Sequence, residues 1–309
     1  MITAVAISPS LDVTYEVAEL AGIHRPSAVH RVAGGKALNA ARAAALLGPS
    51  VAAVAVLGGG IGAVVADAAR ADGLDLRVVD GVELTRTCTS IHSRSTGALT
   101  EIYERATPVS RTVFDELLGV LAERLAVRPG WCLVSGGFPR SLGDGALCEL
   151  VGVATRAGVR VAVDSHGPAL GALLSGGHAP DLLKVNRLEA CAVLGLSDTT
   201  PLADVVAALH GRAGGLVVVT DGVAGMRATD GAATRDAVLP GVVGQFPVGS
   251  GDSVLGAFVH ALDDGSDWEA ALRLAVAAGC ANALVPGAAR FDPATVRALA
   301  RDVVIRSVA

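Results

Sequence analysis

Short β-branched runs alternate along this chain with Ala-rich stretches of helical length. The runs at 3–7, 51–57, 131–135, 159–164, 182–185 and 216–220 are apolar without clear alternation, as strands buried on both faces are. Between them, 39–47, 62–71, 112–125, 144–157 and 203–213 predict helices, and the last third turns mostly helical at 253–262, 268–283 and 293–304. Strands separated by helices predict an α/β fold built on a mostly parallel sheet. Two segments, 11–32 and 85–105, break this rhythm. Val13-Thr14-Tyr15-Glu16-Val17 and Cys88-Thr89-Ser90-Ile91-His92-Ser93 alternate polar with apolar residues and have no partner helix. They predict strands of a small second sheet projecting from the main body, since loops of that length without structure are uncommon.

Composition narrows the classes. With 51% hydrophobic and only 3% aromatic residues, the core of the 309-residue chain is built from Ala, Val and Leu. The mean hydropathy of +0.53 does not imply a membrane span, because Gly, Asp or Arg interrupts every apolar run well short of about 20 residues. A net charge of −5 with no basic run argues against nucleic acid and suits an anionic small molecule better. Cys88, Cys132, Cys148, Cys191 and Cys280 are odd in number, widely spaced and without a C-x-x-C pair. Reduced thiols and a cytoplasmic location are therefore expected, as is the absence of a basic leader before the strand-like opening run.

Candidate chemistry gathers at the turns. Phe246-Pro247-Val248-Gly249-Ser250-Gly251-Asp252-Ser253 runs straight into an apolar helical pattern. Glycines let the backbone approach a ligand closely, and the first amides of a helix lack intrahelical partners and favour negative charge. Gly249, Ser250 and Gly251 thus read as an anion hole, with Asp252 a carboxylate base for phosphoryl transfer to a hydroxyl. The plain alternative is a loop with Asp252 as a helix cap. Gly34 and Gly35 precede another helix, where Lys36 offers a charge to phosphate and Asn39 offers donor and acceptor groups to a polyol. Lys184-Val185-Asn186-Arg187-Leu188-Glu189 sets Asn186 and Glu189 three apart, fit either for a hydrated magnesium ion or for a capping box. Thr220, Gly222 and Gly225 follow a strand and read as nucleotide-phosphate contacts or as a hairpin turn. A competing signal, Gly58-Gly59-Gly60-Ile61-Gly62-Ala63 with Asp80 further on, approximates a dinucleotide fingerprint and would imply an NAD-dependent enzyme. His166 lies at a strand end within reach of a ligand, whereas His24, His30, His178, His210 and His260 read as structural or exposed.

Taken together, these motifs resemble the ribokinase-like PfkB carbohydrate kinases over essentially the whole chain. Gly34-Gly35-Lys36-Ala37-Leu38-Asn39-Ala40-Ala41-Arg42 is similar to the first family signature, and Pro247-Val248-Gly249-Ser250-Gly251-Asp252-Ser253 to the second. Lys184-x-Asn186-x-x-Glu189 is similar to the magnesium motif. Ser8-Pro9-Ser10-Leu11-Asp12, the run 85–91, Thr100-Glu101-Ile102 and Asn282 resemble the phosphohexose kinase branch, that of tagatose-6-phosphate kinase and 1-phosphofructokinase. The resemblance implies one domain over 1–309, a three-layer α/β/α sandwich whose β lid inserts 11–32 and 85–105 and often clasps a second subunit. It implies ATP and Mg²⁺, with Lys184, Asn186, Thr220, Gly222, Gly225 and Asn282 toward ATP, and Asn186 and Glu189 toward the metal through water. Asp12, Gly34, Gly35, Asn39 and Ser135 fall to the sugar; Lys36, Arg86 and Arg105 are the cations available for a phosphate already on it. Ala37, Ser8, Ser90 and Ser135-Gly136-Gly137-Phe138-Pro139 depart from the usual family pattern near the sugar. A kinase of an unphosphorylated sugar or nucleoside, and a non-catalytic sugar-binding regulator, are the alternatives on the same fold.

Overall fold

The computed structural model of the chain describes residues 1–48, 51–177 and 179–308, so the reading of His178 lies outside the described residues. The chain first runs β1 (Ile2–Ala6), β2 (Ser10–Val17), β3 (Ala28–Gly34), α1 (Lys36–Leu47), β4 (Val51–Leu57), α2 (Gly59–Ala71) and β5 (Asp75–Asp80). There follow β6 (Arg86–Ser93), β7 (Leu99–Tyr103), α3 (Arg111–Val127), β8 (Trp131–Ser135), α4 (Ala146–Arg156), β9 (Arg160–Asp164), α5 (Gly167–Ser175) and β10 (Leu182–Asn186). It continues through α6 (Arg187–Leu194), α7 (Leu202–Ala213), β11 (Leu216–Thr220), β12 (Met226–Thr229) and β13 (Thr234–Val238). It closes with α8 (Ser250–Asp263), α9 (Trp268–Ala283), α10 (Pro293–Leu299) and β14 (Val304–Val308).

A ten-stranded sheet has the order β14-β13-β12-β11-β10-β9-β8-β1-β4-β5. Every neighbouring pair from β11 to β5 is parallel, and β12, β13 and β14 extend it antiparallel. The strands lack alternation because both faces are covered. In β1, Ala4 and Ala6 join a core with α1, α2, α8, α9 and α10, while Val5 packs on the other side with α3 to α7. That is the three-layer α/β/α sandwich. From β1 the chain builds β4 and β5 to one side, then β8 to β11 to the other, so the winding reverses between β1 and β8. A reversal of this kind opens a crevice beyond the carboxyl ends of the strands.

The segments 11–32 and 85–105 do form a separate four-stranded sheet, β3-β2-β6-β7, with β2 and β6 parallel at its centre. Its register sets Asp12 beside Cys88, Thr14 beside Ser90, and Cys88 beside Tyr103, giving one hydroxyl-rich face. The helix predicted over 293–304 is shorter: α10 stops at Leu299, and after the turn Ala300–Asp302 the chain becomes β14. Val303, Val304 and Ile305 favour extended backbone, and β13 supplies the ladder that no local pattern announces. The described residues contain no helix long and apolar enough to cross a membrane.

Candidate active site

A cleft of about 650 Å³ lies at the strand ends, beneath the small sheet. Its floor is made where α1 and α8 cross. Gly256 permits that crossing, because a β-carbon there would collide with the Ala40 carbonyl. The close approach brings Asn39, in the first turn of α1, to Asp252, in the first turn of α8: Asn39 Nδ2 donates to Asp252 Oδ2 at 2.9 Å. Gly249 caps α8 at φ 81, a left-handed conformation that suits glycine, and its missing side chain leaves room for Ala288. At the start of α8 the amides of Gly251 and Asp252 point outward along the helix axis with no earlier turn to bond. The Lys184 ammonium stands against Gly251.

Asp252 is 6% exposed, and burial pushes its carboxyl up to about 6, reinforced by the charge of Asp164. Lys36, Asn39 and Lys184 pull the other way without cancelling the rise. Asp164, at the end of β9, is fully buried and takes two ammonium groups: Lys184 donates to Oδ2 at 2.6 Å and Lys36 to Oδ1 at 3.2 Å. Burial opposes its charge, but the two lysines hold the carboxyl below the usual carboxylate range. Lys36 also donates to Glu189 Oε1 at 3.2 Å. Burial works against the Lys36 charge too, and Asp164, Glu189 and Asp252 together outweigh it, holding the ammonium above its ordinary value. Lys36 lines the cleft as expected, but its ammonium is shared with two carboxylates rather than free. Its charge thus also serves the carboxylate cluster beside Asp252.

On the lid side, Asp12 accepts from Ser10 Oγ at 2.5 Å, and burial beneath the lid raises its carboxyl against the pull of Ser10, Arg42 and Arg86. Gly34 is glycine because any side chain there would strike the Asp12 carboxyl; Gly35, at φ 94, turns the chain into α1 against Pro9. Arg86 donates to the Ser8 and Glu104 carbonyls at 3.2 and 3.0 Å and lines the cleft, and its buried Nε has no protein partner among the described residues. Ser135 also lines the cleft with an unpartnered buried hydroxyl. An adjoining recess of about 20 Å³, room for little more than a water molecule, is walled by Asp12, Thr14, Cys88, Ser90 and Tyr103. Arg105 stands exposed beyond β7 and is not among the cleft residues, which corrects its assignment to the sugar phosphate.

On the opposite side, Lys184, Asn186, Thr220 and Gly222 line the cleft, and His166, half-exposed, comes within 3.9 Å of Glu189. Thr220 to Gly225 make the hairpin turn between antiparallel β11 and β12. Gly225, at φ 96, is pressed against the Ala237 carbonyl and shapes the turn rather than facing a ligand. Asn282 is a further correction, since its side chain is fully buried and reaches no nucleotide. Its amide donates to the Val248 carbonyl at 2.8 Å and Ser250 Oγ at 3.0 Å and accepts from Ala289 N at 2.7 Å, so it braces the 248–250 turn from behind. Asn186 and Glu189 form the complete capping box of α6. Among the described residues no three His, Cys, Asp or Glu side chains converge on one point. Asn186 lines the cleft, and its oxygen and those of Glu189 are already engaged in the cap and by Lys36; as hard oxygens they suit a magnesium ion held through its own waters rather than by direct bonds.

The dinucleotide reading fails on geometry. Gly58 donates to Thr85 Oγ1 at 3.0 Å and is packed under the Val82 carbonyl, so the chain itself fills the space a pyrophosphate would need. Two residues that the sequence reading gives no role stand beside the site. Asp164 could be found as the one charge ending an apolar strand, whereas Arg42, although it closes the first family signature, is given no role there.

An anion turn beside a buried carboxyl, under a hydroxyl-lined lid, is an arrangement for phosphoryl transfer to a small polar molecule. Over residues 4–295 the chain matches the pfkB family carbohydrate kinases, and it belongs to that family. It is 30% identical to a 1-phosphofructokinase of Rhodobacter capsulatus, over 99% of this chain and 98% of the relative. It is 32% identical to the ATP-dependent 6-phosphofructokinase isozyme 2 of Escherichia coli, over 82% of each. The crystal structure of phosphofructokinase-2 from Escherichia coli with fructose-6-phosphate superposes with a TM-score of 0.86 at 26% identity, covering 97% of this chain and 98% of that one. The chain is thus an ATP-dependent sugar kinase, and the predicted ribokinase-like fold holds.

Proposed function

We propose that this enzyme transfers the γ-phosphoryl group of ATP to a hydroxyl of a ketohexose phosphate, fructose 1- or 6-phosphate or tagatose 6-phosphate, giving the bisphosphate. The observation that carries the reading is a guanidinium, Arg86, and a base-capable carboxyl, Asp252, facing one cleft. Asp252 takes the proton of the attacking hydroxyl, while the amides of Gly251 and Asp252 receive the charge of the moving phosphoryl group; Gly249 shapes that turn, and the Ser250 amide, which donates to the Pro247 carbonyl at 3.1 Å, drops out of the expected anion hole. Lys36 and Lys184 add positive charge beside that turn. Asp12, Asn39 and the Ser135 hydroxyl orient the sugar hydroxyls, and Arg86 holds the phosphate already on the sugar, for which its free Nε is suited. Thr220 and Gly222 meet the nucleotide, and Asn186 and Glu189 would hold magnesium through water. Bound there, the ion neutralises charge on the phosphate oxygens.

Purified protein with ATP, magnesium and a panel of hexose phosphates, free hexoses and nucleosides, read by ADP release, tests the reading. Turnover as efficient on a free hexose or nucleoside would sink the phosphohexose assignment. Arg86→Ala should raise the KM for the sugar phosphate at least about tenfold, in line with loss of a charge-assisted bond, and leave that for ATP nearly unchanged. The four-stranded lid also supports a homodimer in which lids pair: Ile102 on β7, at 60% exposure, and Ile23 in the β2–β3 connection, at 97%, leave apolar surface that a sheet this small cannot bury alone. Light scattering should report a dimer, and sugar phosphate should slow proteolysis at 18–27. A monomer whose cleavage ignores substrate would remove the clasp.

A further inference from the structure

We infer that Arg42 is a positioning residue for the transfer: its guanidinium fixes which way the Asn39 amide faces, and so makes Asn39 a donor to Asp252. The inference rests on Asp252 being the base. A carboxamide presents an acceptor oxygen on one side and two donor hydrogens on the other, in nearly the same shape, so its partners decide its orientation. Asn39 and Arg42 lie three apart on one face of α1. Arg42 Nη1 donates to Asn39 Oδ1 at 3.1 Å, and a guanidinium has donors only. The oxygen of Asn39 must therefore face Arg42, which leaves Nδ2 for Asp252. Turned over, the amide would set N–H against N–H at one end and oxygen against carboxylate at the other.

Arg42 itself cannot swing. At 1% exposure it donates through Nε to Asp72 Oδ2 at 2.7 Å, through Nη1 to the Ala288 carbonyl at 3.1 Å, and through Nη2 to the Ala33 carbonyl. These partners lie at the end of α2, in the loop behind the Asp252 turn, and in the lid strand β3. Asp72 is held from its other side by Arg290 at 2.7 Å. Arg42 is no part of the cleft lining, so it reaches the chemistry through Asn39. The Asn39 bond is one of the influences that keep the Asp252 carboxyl from rising further under burial. The charged groups facing Asp252 are Lys36 from α1, Asp164 from β9 and Lys184 from β10; those facing Arg42 are Asp12, Asp72 and Arg290.

The test is the pH dependence of turnover at saturating ATP and sugar phosphate in the full chain, its Arg42→Lys and Asn39→Leu variants, and the double variant. Arg42→Lys keeps a cation beside Asp72 and loses the fork that reaches Asn39. The acidic midpoint should rise by about one pH unit in Arg42→Lys, and the substitution should add no further shift when residue 39 is already leucine. A lowered melting temperature with an unmoved midpoint would mark Arg42 as structural only and overturn the inference. So would an equal shift in the Asn39→Leu background. If Arg42→Lys does not fold, Asp72→Asn replaces it: freeing the guanidinium should move the midpoint the same way by a smaller amount, and no movement overturns the inference. Activity retained in Asp252→Asn would instead remove the base reading on which this rests, which keeps the two failures apart.

Discussion

Asp252→Asn should lower turnover by at least about 10²-fold and at the same time give a protein that melts at a higher temperature at pH 8. The kinetic half follows from removing the group that accepts the hydroxyl proton, with ATP binding left intact because the 249–251 turn is unchanged. The stability half follows from linkage. Burial, then the charge of Asp164, raise the folded carboxyl to about 6 from an ordinary value of 3.8. An acid with a raised value favours the fold while protonated; that support is full below the unfolded value and is lost as pH rises through the folded one. Above pH 6 the native enzyme bears the whole cost of the buried charge, about 3 kcal/mol as an upper bound, and asparagine does not. The difference in melting temperature should therefore shrink toward pH 4. Turnover of the native enzyme should fall along an acidic limb centred near pH 6, since only the ionised carboxylate can take a proton. Melting curves at pH 4 and 8 with ADP-release rates from pH 5 to 8 check both halves. Near-native turnover in the variant would rule Asp252 out as the base.

Much of this was legible in the sequence, for identifiable reasons. The parallel strands announce themselves because both faces are buried, so Val51 to Leu57 reads as one apolar run. The lid announces itself by the opposite pattern, two alternating segments without helices. Asp252 was visible because glycine, serine and aspartate ahead of an apolar helix have few other uses together. What stayed hidden depends on contacts between distant segments. Lys36 reads as a free phosphate ligand until β9 and α6 bring Asp164 and Glu189 to within 3.2 Å of it. Asn282 is placed toward ATP by the family resemblance, yet its amide is wrapped by the turn it supports. The strand β14 could not be read because its ladder comes from β13, remote in sequence.

The second large effect is expected at Asp164. Asp164→Leu should cost about 3–5 kcal/mol of stability at pH 7, the range for removing one partner of a buried charge pair. Lys184 is the reason: its side chain is 5% exposed and donates to an Asp164 side chain with no exposure at all. Leucine fills the space but leaves that ammonium desolvated, with Asp252 as the remaining nearby anion, and Lys36 loses one of its two carboxylates. Asp164→Asn should cost less, because an amide oxygen still accepts from one lysine. The sign with pH runs opposite to that of Asp252. The lysines hold the folded Asp164 carboxyl below 3.8, so its contribution is complete above that value and disappears as pH falls through the lower folded one. Urea unfolding at pH 7 and pH 3 should thus show a large gap between native and Asp164→Leu that narrows in acid. A gap under about 1 kcal/mol at pH 7, the range of exposed pairs, would mean that water screens the cluster. The same charge also acts on chemistry, because Asp164 helps raise Asp252. Whatever activity Asp164→Asn retains should therefore have its acidic limb below pH 6, and a limb left in place would show that burial alone sets the base.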